Sequence, residues 1–197
     1  MAIIHDATLT PTKTQLLASW LPRQPWLPSG VAPAEPVRIG AFRFDDPAGE
    51  VGVETLIVSL PAAPLLQVPL TYRDAPLEGA DAWLIGTMEH SVLGTRWVYD
   101  AVGDPVYLAE LARTVLTGGR EVEQFVETPD GPVTRPSTAQ VRGSGVPGTA
   151  VPDLDGLEIE VFRVIDSRAE AAPDAAILTG TWLGRASAAL LATVAAL

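Results

Sequence analysis

The stretch Leu84–Gly119, LIGTMEHSVLGTRWVYDAVGDPVYLAELARTVLTGG, constrains what this chain can fold into more than any other. It holds the densest run of aromatic and charged residues and the best-marked helix. Asp104 is a helix-capping residue type, and Pro105 suits a first helical turn, where a missing N–H leaves nothing unpaired. Tyr107, Leu108, Leu111 and Val115 recur at helical spacing. Arg113 stands near the end, where a cation complements the helix dipole, and Gly118-Gly119 closes the element. Trp97-Val98-Tyr99-Asp100, just upstream, must hold this helix against the sheet that precedes it.

Upstream, the pattern is of strands and turns. Ile3–Leu9 reads as a short edge strand. A helix follows, with Thr12 and Gln15 at capping-box spacing, an apolar stripe of Leu16, Leu17, Trp20 and Leu21, and Pro22 as its stop. Positions 24–36 carry four prolines and form a loop, pinned to the core by Trp26 and Leu27. Val37–Phe44 and Val51–Leu60 flank Asp45-Asp46-Pro47-Ala48-Gly49, the signature of a hairpin. The apolar register jumps from Val37 and Ile39 to Phe42 and Phe44, so Gly40 marks a bulge. The two aspartates are turn formers, since Asp side chains accept from nearby backbone N–H groups and no third metal ligand lies beside them. Leu65–Arg73 is a further strand, placed at a sheet edge because proline cannot donate to a ladder and Pro69 lies inside it. Trp83–Glu89 returns. Antiparallel neighbours with a helix laid across them give an α+β fold.

Downstream, Glu121–Glu127 reads as a strand, and the Pro/Gly-rich segment 129–152 as a mobile loop. Leu157–Ile165 alternates cleanly at first, with Leu157, Ile159 and Val161 opposite Glu158 and Glu160. Ala175–Leu183 is another strand. The tail, 186–197, fits a helix face through Leu190, Leu191, Val194 and Leu197, and fits a strand equally well. One domain spanning 1–197 is expected. A chain of 197 residues that is 47% hydrophobic buries a core of its own.

Much chemistry is excluded by composition. There is no Cys, which removes disulfides, thiolate metal sites and Cys nucleophiles. There is no Asn, which a protein-kinase-like catalytic loop needs to hold its metal ion. Lys13 is the only lysine and does not follow a glycine-rich loop, so P-loop chemistry is out. Two histidines, His5 and His90, cannot form a multi-histidine metal site. Catalytic residues, cofactor-binding residues, metal ligands and bound cofactors are all expected to be none. Gly143-Ser144-Gly145-Val146-Pro147-Gly148 matches G-x-G-x-x-G, but Pro147 interrupts it and no helical pattern follows, so a flexible loop is expected. The net charge of −11 and the lack of a basic run argue against nucleic acid and anionic membranes. No signal segment or membrane-length apolar run is present, and a cytoplasmic location is expected.

Glu89, His90, Arg96, Trp97, Tyr99 and Asp100, with Asp104 beyond them, form the only cluster dense enough to mark a ligand or interaction patch. One reading is a polar pocket at the end of the sheet with His90 as a proton carrier. The other is a packed turn in which Arg96 pairs with Asp100 or Asp104 while Trp97 and Tyr99 bury their rings. The packed turn is expected, because adjacent Glu and His on a strand point to opposite faces. Of the five tryptophans, at least four are expected in the core.

The segments MAIIHDATLTPTK, FRFDDPAGEVGVETLIV, QVPLTYRDAPLEGA, the long central motif and ILTGTW together resemble the N-terminal cap domain of actinobacterial maltokinases. The resemblance implies a curved, mainly antiparallel sheet with two principal helices packed on it. In that family the cap precedes a kinase that makes maltose 1-phosphate from ATP and maltose, and it carries no catalytic group. The chain ends where a maltokinase would enter its kinase lobe, so the resemblance implies a free-standing, non-catalytic cap. Its expected partner is a protein, either a kinase or glycogen/trehalose-pathway enzyme or a second copy. The alternative is a sugar site around His90, Arg96 and Trp97 on the concave sheet face, and kinase activity ranks last.

Overall fold

The stretch expected as one edge strand at 3–9 divides into β1 (Ala2–Ile4) and β2 (Leu9–Thr10). The computed structural model describes residues 2–4, 7–128, 131–166 and 168–197, so His5 and Asp6 between these strands lie outside the described residues. Helix α1 (Lys13–Trp20) starts on a capping box. The Gln15 N–H donates to the Thr12 hydroxyl at 3.2 Å, and the Thr12 N–H donates to the Gln15 side chain at 2.9 Å. Pro22 falls in a single 3₁₀ turn, Leu21–Arg23, that ends the helix.

The expected hairpin is β3 (Val37–Phe44) and β4 (Gly52–Ser59), with its register shift between Arg38 and Gly40. A Cβ at Gly40 would stand 3.2 Å from that of Trp182, so the bulge also lets the C-terminal strands approach closely. Asp46 shapes the turn by accepting from the N–H groups of Ala48, Glu50 and Val51. Next come β5 (Leu66–Arg73), β6 (Leu84–His90) and β7 (Gly94–Asp100), then α2 (Pro105–Leu116) capped by Asp104. The remaining strands are β8 (Gln124–Thr128), β9 (Gly131–Arg135), β10 (Ala139–Gly143), β11 (Leu157–Val161), β12 (Ala176–Trp182) and β13 (Arg185–Ala196).

The main sheet has six antiparallel strands in the order β2-β6-β7-β5-β4-β3, curled into a half-barrel. A second sheet, β10-β12-β13-β11, and a small third, β1-β8-β9 with β1 parallel to β8, complete the α+β fold. Pro69 is therefore in a central strand, not at an edge. The first half of β5 pairs with 163–165, through the Gln67 N–H to Arg163 and the Ile165 N–H to Leu65. Its second half pairs with β7 from Leu70 onward. Pro69 occupies the gap where the partner changes, and no donor is required there. Segment 129–152, read as structureless, carries β9 and β10, and positions 129 and 130 lie outside the described residues. The ambiguous tail is a strand. A bulge between its pairs with Leu178 and Thr179 makes Leu191 the extra residue, so Leu191 and Ala192 are both buried.

The central strands of the six-stranded sheet, β4 and β5, are buried on both faces. On one, Leu56, Val58, Leu66, Val68 and Leu70 meet Leu16, Leu17, Trp20 and Leu21 of the α1 region. On the other, Phe42, Phe44, Val53 and Ile57 meet Leu111 and Val115 of α2 and Val141, Leu178 and Leu191 of the second sheet. This is why β4 reads as an almost unbroken apolar run. Trp20 and Trp182 are buried, Trp26 and Trp97 half-buried, and Trp83 is the exposed one at 41%. Among the described residues, no helix is long and apolar enough to cross a membrane.

The literal G-x-G-x-x-G at 143–148 docks on the C-terminal end of α2. The N–H groups of Gly145 and Val146 donate to the carbonyls of Val115 and Leu116. That satisfies the free acceptors of a helix C-terminus, the opposite polarity to a phosphate-binding turn.

Candidate ligand cavity

Helix α1 covers only part of its sheet face. Toward the β3–β4 turn the face stays open and floors a cavity of about 1010 Å³. Arg43 of β3, Gly52 of β4, Tyr72 of β5, Met88 and His90 of β6, and Arg96 of β7 line it. Lys13 enters from α1 and Arg135 from β9. Gly52 makes the floor possible: a Cβ there would stand 3.2 Å from the Arg43 Nη2 and 3.3 Å from the Tyr72 ring.

Behind the lining, against Lys13 and Tyr72, lies one buried carboxylate, Glu54, which is 5% exposed. Lys13 Nζ donates to it, the Tyr72 hydroxyl donates to it at 2.8 Å, and Lys13 also lies 5.0 Å over the Tyr72 ring. Burial pushes the Glu54 carboxyl up, but the charges of Lys13 and Arg43 and the two hydrogen bonds outweigh it, bringing the group down to about 2. Burial and the neighbouring Glu54 charge hold the Tyr72 phenol above its ordinary value. At neutral pH, Glu54 has no proton to give and Tyr72 does not release its own. This pair is arranged to hold charge, not to move protons.

Two cations of the lining are differently placed. The Nε atoms of Arg43 and Arg96 are buried and have no hydrogen-bond partner among the described residues. Neither guanidinium forms an ion pair among the described residues. Arg96 donates through Nη2 to the Leu93 carbonyl at 2.6 Å. The lining thus carries four cations, Lys13, Arg43, Arg96 and Arg135, and four carboxylates, Asp45, Asp46, Glu50 and Asp74, with Glu54 behind it.

Of the six residues singled out in the sequence, His90 and Arg96 line this cavity. His90 Nδ1 accepts from the N–H groups of Val92 and Leu93, which shapes the β6–β7 turn. Glu89 accepts from the Thr95 hydroxyl at 2.8 Å. Trp97 is half-buried, next to Arg96 on a strand whose side chains alternate between faces. Tyr99 is buried, and its hydroxyl accepts from the Leu77 N–H. Asp100 is held by Arg163 at 2.7 Å, and Asp104 by Arg73, so Arg96 pairs with neither. Lys13, Arg43, Gly52, Glu54 and Tyr72 escaped sequence reading. One signal was available: Glu54 is the only charged residue in the apolar strand GVETLIVS, and a charge there needs a partner. Among the described residues, no group of three acidic or histidine side chains could hold a metal ion.

A family model described as the maltokinase N-terminal cap domain matches residues 20–104, from the last residue of α1 to the cap of α2. The match therefore spans β3 to β7 and leaves α2 and the second and third sheets outside it. No curated protein matches the chain.

Proposed function

From the match of residues 20–104 to the maltokinase N-terminal cap domain, we propose that the chain is a non-catalytic module that acts by binding a protein. The partner is a maltokinase-type kinase domain, and the setting is maltose, trehalose or glycogen metabolism. The family match carries this reading. A feature inside the matched region supports it. Trp83 and Leu84 stand 41% and 36% exposed at the start of β6. Among the described residues, β2 pairs with β6 only at Glu89 and His90 and leaves the edge from Leu84 to Met88 without a strand. Exposed apolar side chains beside an unpaired strand edge suit a protein contact.

Mixing the chain with a maltokinase-type catalytic domain tests this by light scattering and by the rate of ATP-dependent maltose phosphorylation. A one-to-one complex is expected, weakened at least tenfold by the double change Trp83→Ser and Leu84→Ser. No complex and no change in rate would overturn the reading.

The cavity favours a second reading, a small-molecule site on the α1 face of the sheet. Its size and its mixture of polar and apolar lining suit a compact organic ligand.

A further inference from the structure

We propose that the cavity binds the phosphate-monoester class of small ligand, a phosphorylated sugar or similar polyol, with Arg43 and Arg96 as the anion-holding residues. The proposal rests on the small-molecule reading and names its chemistry.

The first argument is hydrogen bonding. Arg43 and Arg96 both line the cavity, and among the described residues the Arg43 side chain makes no hydrogen bond and no ion pair, while that of Arg96 donates only to the Leu93 carbonyl. Their Nε atoms are buried out of the cavity's reach, so the terminal guanidinium nitrogens are the donors that a ligand oxygen would meet. The planar fork of arginine, with parallel donors, matches the oxygens of a phosphate.

The second argument is charge. Glu54 is already engaged by Lys13 and Tyr72, so it does not compete for the arginines at ion-pair distance. Four cations (Lys13, Arg43, Arg96 and Arg135) and four carboxylates (Asp45, Asp46, Glu50 and Asp74) line the cavity, so the attraction for an anion is local to the guanidinium groups of Arg43 and Arg96, which have no ion-pair partner among the described residues. A phosphate monoester carries about −1.5 to −2 at neutral pH, which suits two such groups. A long polyanion is disfavoured, because the whole chain carries −11 and the lining includes the carboxylates of Asp45, Asp46, Glu50 and Asp74.

The third argument is shape. About 1010 Å³ exceeds what a bare phosphate fills, and Leu9, Met88 and Leu93 give the lining an apolar portion. Carboxylates such as Glu50 and Asp74 accept hydrogen bonds from hydroxyls, which suits a polyol attached to the phosphate. Gly52 keeps the floor clear beneath Arg43 and Tyr72.

Titration calorimetry on the full chain with glucose 6-phosphate, inorganic phosphate and glucose tests this. Glucose 6-phosphate is expected to bind most tightly, inorganic phosphate more weakly, and glucose not measurably, with affinity falling as salt is added. Arg43→Gln and Arg96→Gln are each expected to weaken glucose 6-phosphate at least tenfold, and Arg43→Lys less. Gly52→Ala, which has no unusual backbone angle to strain, weakens it by crowding the floor. Arg168→Gln, at a side chain 90% exposed, leaves it unchanged. Circular dichroism and melting curves establish that each variant is folded. Glucose binding as well as its phosphate, and losing affinity in Gly52→Ala, would overturn the anion assignment while keeping the small-molecule reading. No heat with any probe would overturn both. Unchanged affinity in both Gln variants would overturn the proposal.

Discussion

The guanidinium of Arg73 grips both carboxylate oxygens of Asp104, Nε to Oδ2 at 2.8 Å and Nη2 to Oδ1 at 2.7 Å. The same carboxylate accepts from the Val106 N–H at 3.0 Å, so one buried side chain fastens the end of β5 to the start of α2. Burial pushes this carboxyl up, but the hydrogen bonds, led by that from Arg73, hold it below its ordinary value. Asp104→Ala is expected to cost about 3–5 kcal/mol, because it strands a partly buried cation and removes a cap. Asp104→Asn keeps a capping side chain and is expected to cost less. Urea unfolding measures both, and equal losses would show that the cap contributes nothing.

Glu54 predicts an acid limit to stability. Its folded value of about 2 lies below the unfolded 4.5, so the group binds fewer protons folded than unfolded. Its contribution is therefore fully present above pH 4.5 and is lost as pH falls toward 2. The shift corresponds to roughly 3 kcal/mol. Unfolding measured at pH 6 and near pH 3 should show the deficit of Glu54→Gln shrinking at the lower pH. A deficit equal at both would contradict the assignment.

Gly143 and Gly145 are required by close approach. A Cβ at Gly143 would stand 2.1 Å from the Thr114 carbonyl oxygen, and one at Gly145 1.9 Å from that of Leu116. Each alanine substitution is expected to cost about 2 kcal/mol or more, since the obstacle is helix backbone that cannot turn aside. Gly148 has φ +84° and nothing within 4 Å, so Gly148→Ala meets only backbone strain and costs about 1 kcal/mol. Thermal melts separate the two cases.

Gln67 ties the two large sheets together. Its Nε2 donates to the Leu191 carbonyl at 2.8 Å, the carbonyl that also accepts from the Phe162 N–H. Gln67→Leu preserves apolar packing but removes a buried donor, and about 1–3 kcal/mol is expected to be lost. A neutral result in urea unfolding would mean that the Phe162 N–H alone satisfies this carbonyl.

Legibility in the sequence follows the range of the forces. The Thr12–Gln15 box, the Asp46 turn and the Asp104 cap were all readable, because each is satisfied by neighbours within a few positions, and the bulge at Gly40 showed as a jump in the apolar register of its own strand. Pro69 misled, because its meaning depends on which strands lie on either side of β5. The segment around β9 and β10 misled too. Its prolines and glycines mark turns, whereas its strands exist only through pairing with β8 and β12. In the candidate site, Arg96 and His90 were visible as members of a dense cluster. Arg43, Gly52, Glu54 and Tyr72 were not, since each sits in an ordinary strand pattern.

By itself the sequence determined the two helices, the hairpin, the fold class and the chemistry that composition forbids, because caps, turns and side-chain alternation act locally and missing residue types are missing everywhere. Only the tertiary structure decided which acids pair with which arginines, which strand is central, and that Lys13, Arg43, Tyr72 and Arg96 share one cavity. Ion pairs and cavities join residues far apart in the chain, and their geometry is set by the curl of the sheet, which brings four different elements to one wall.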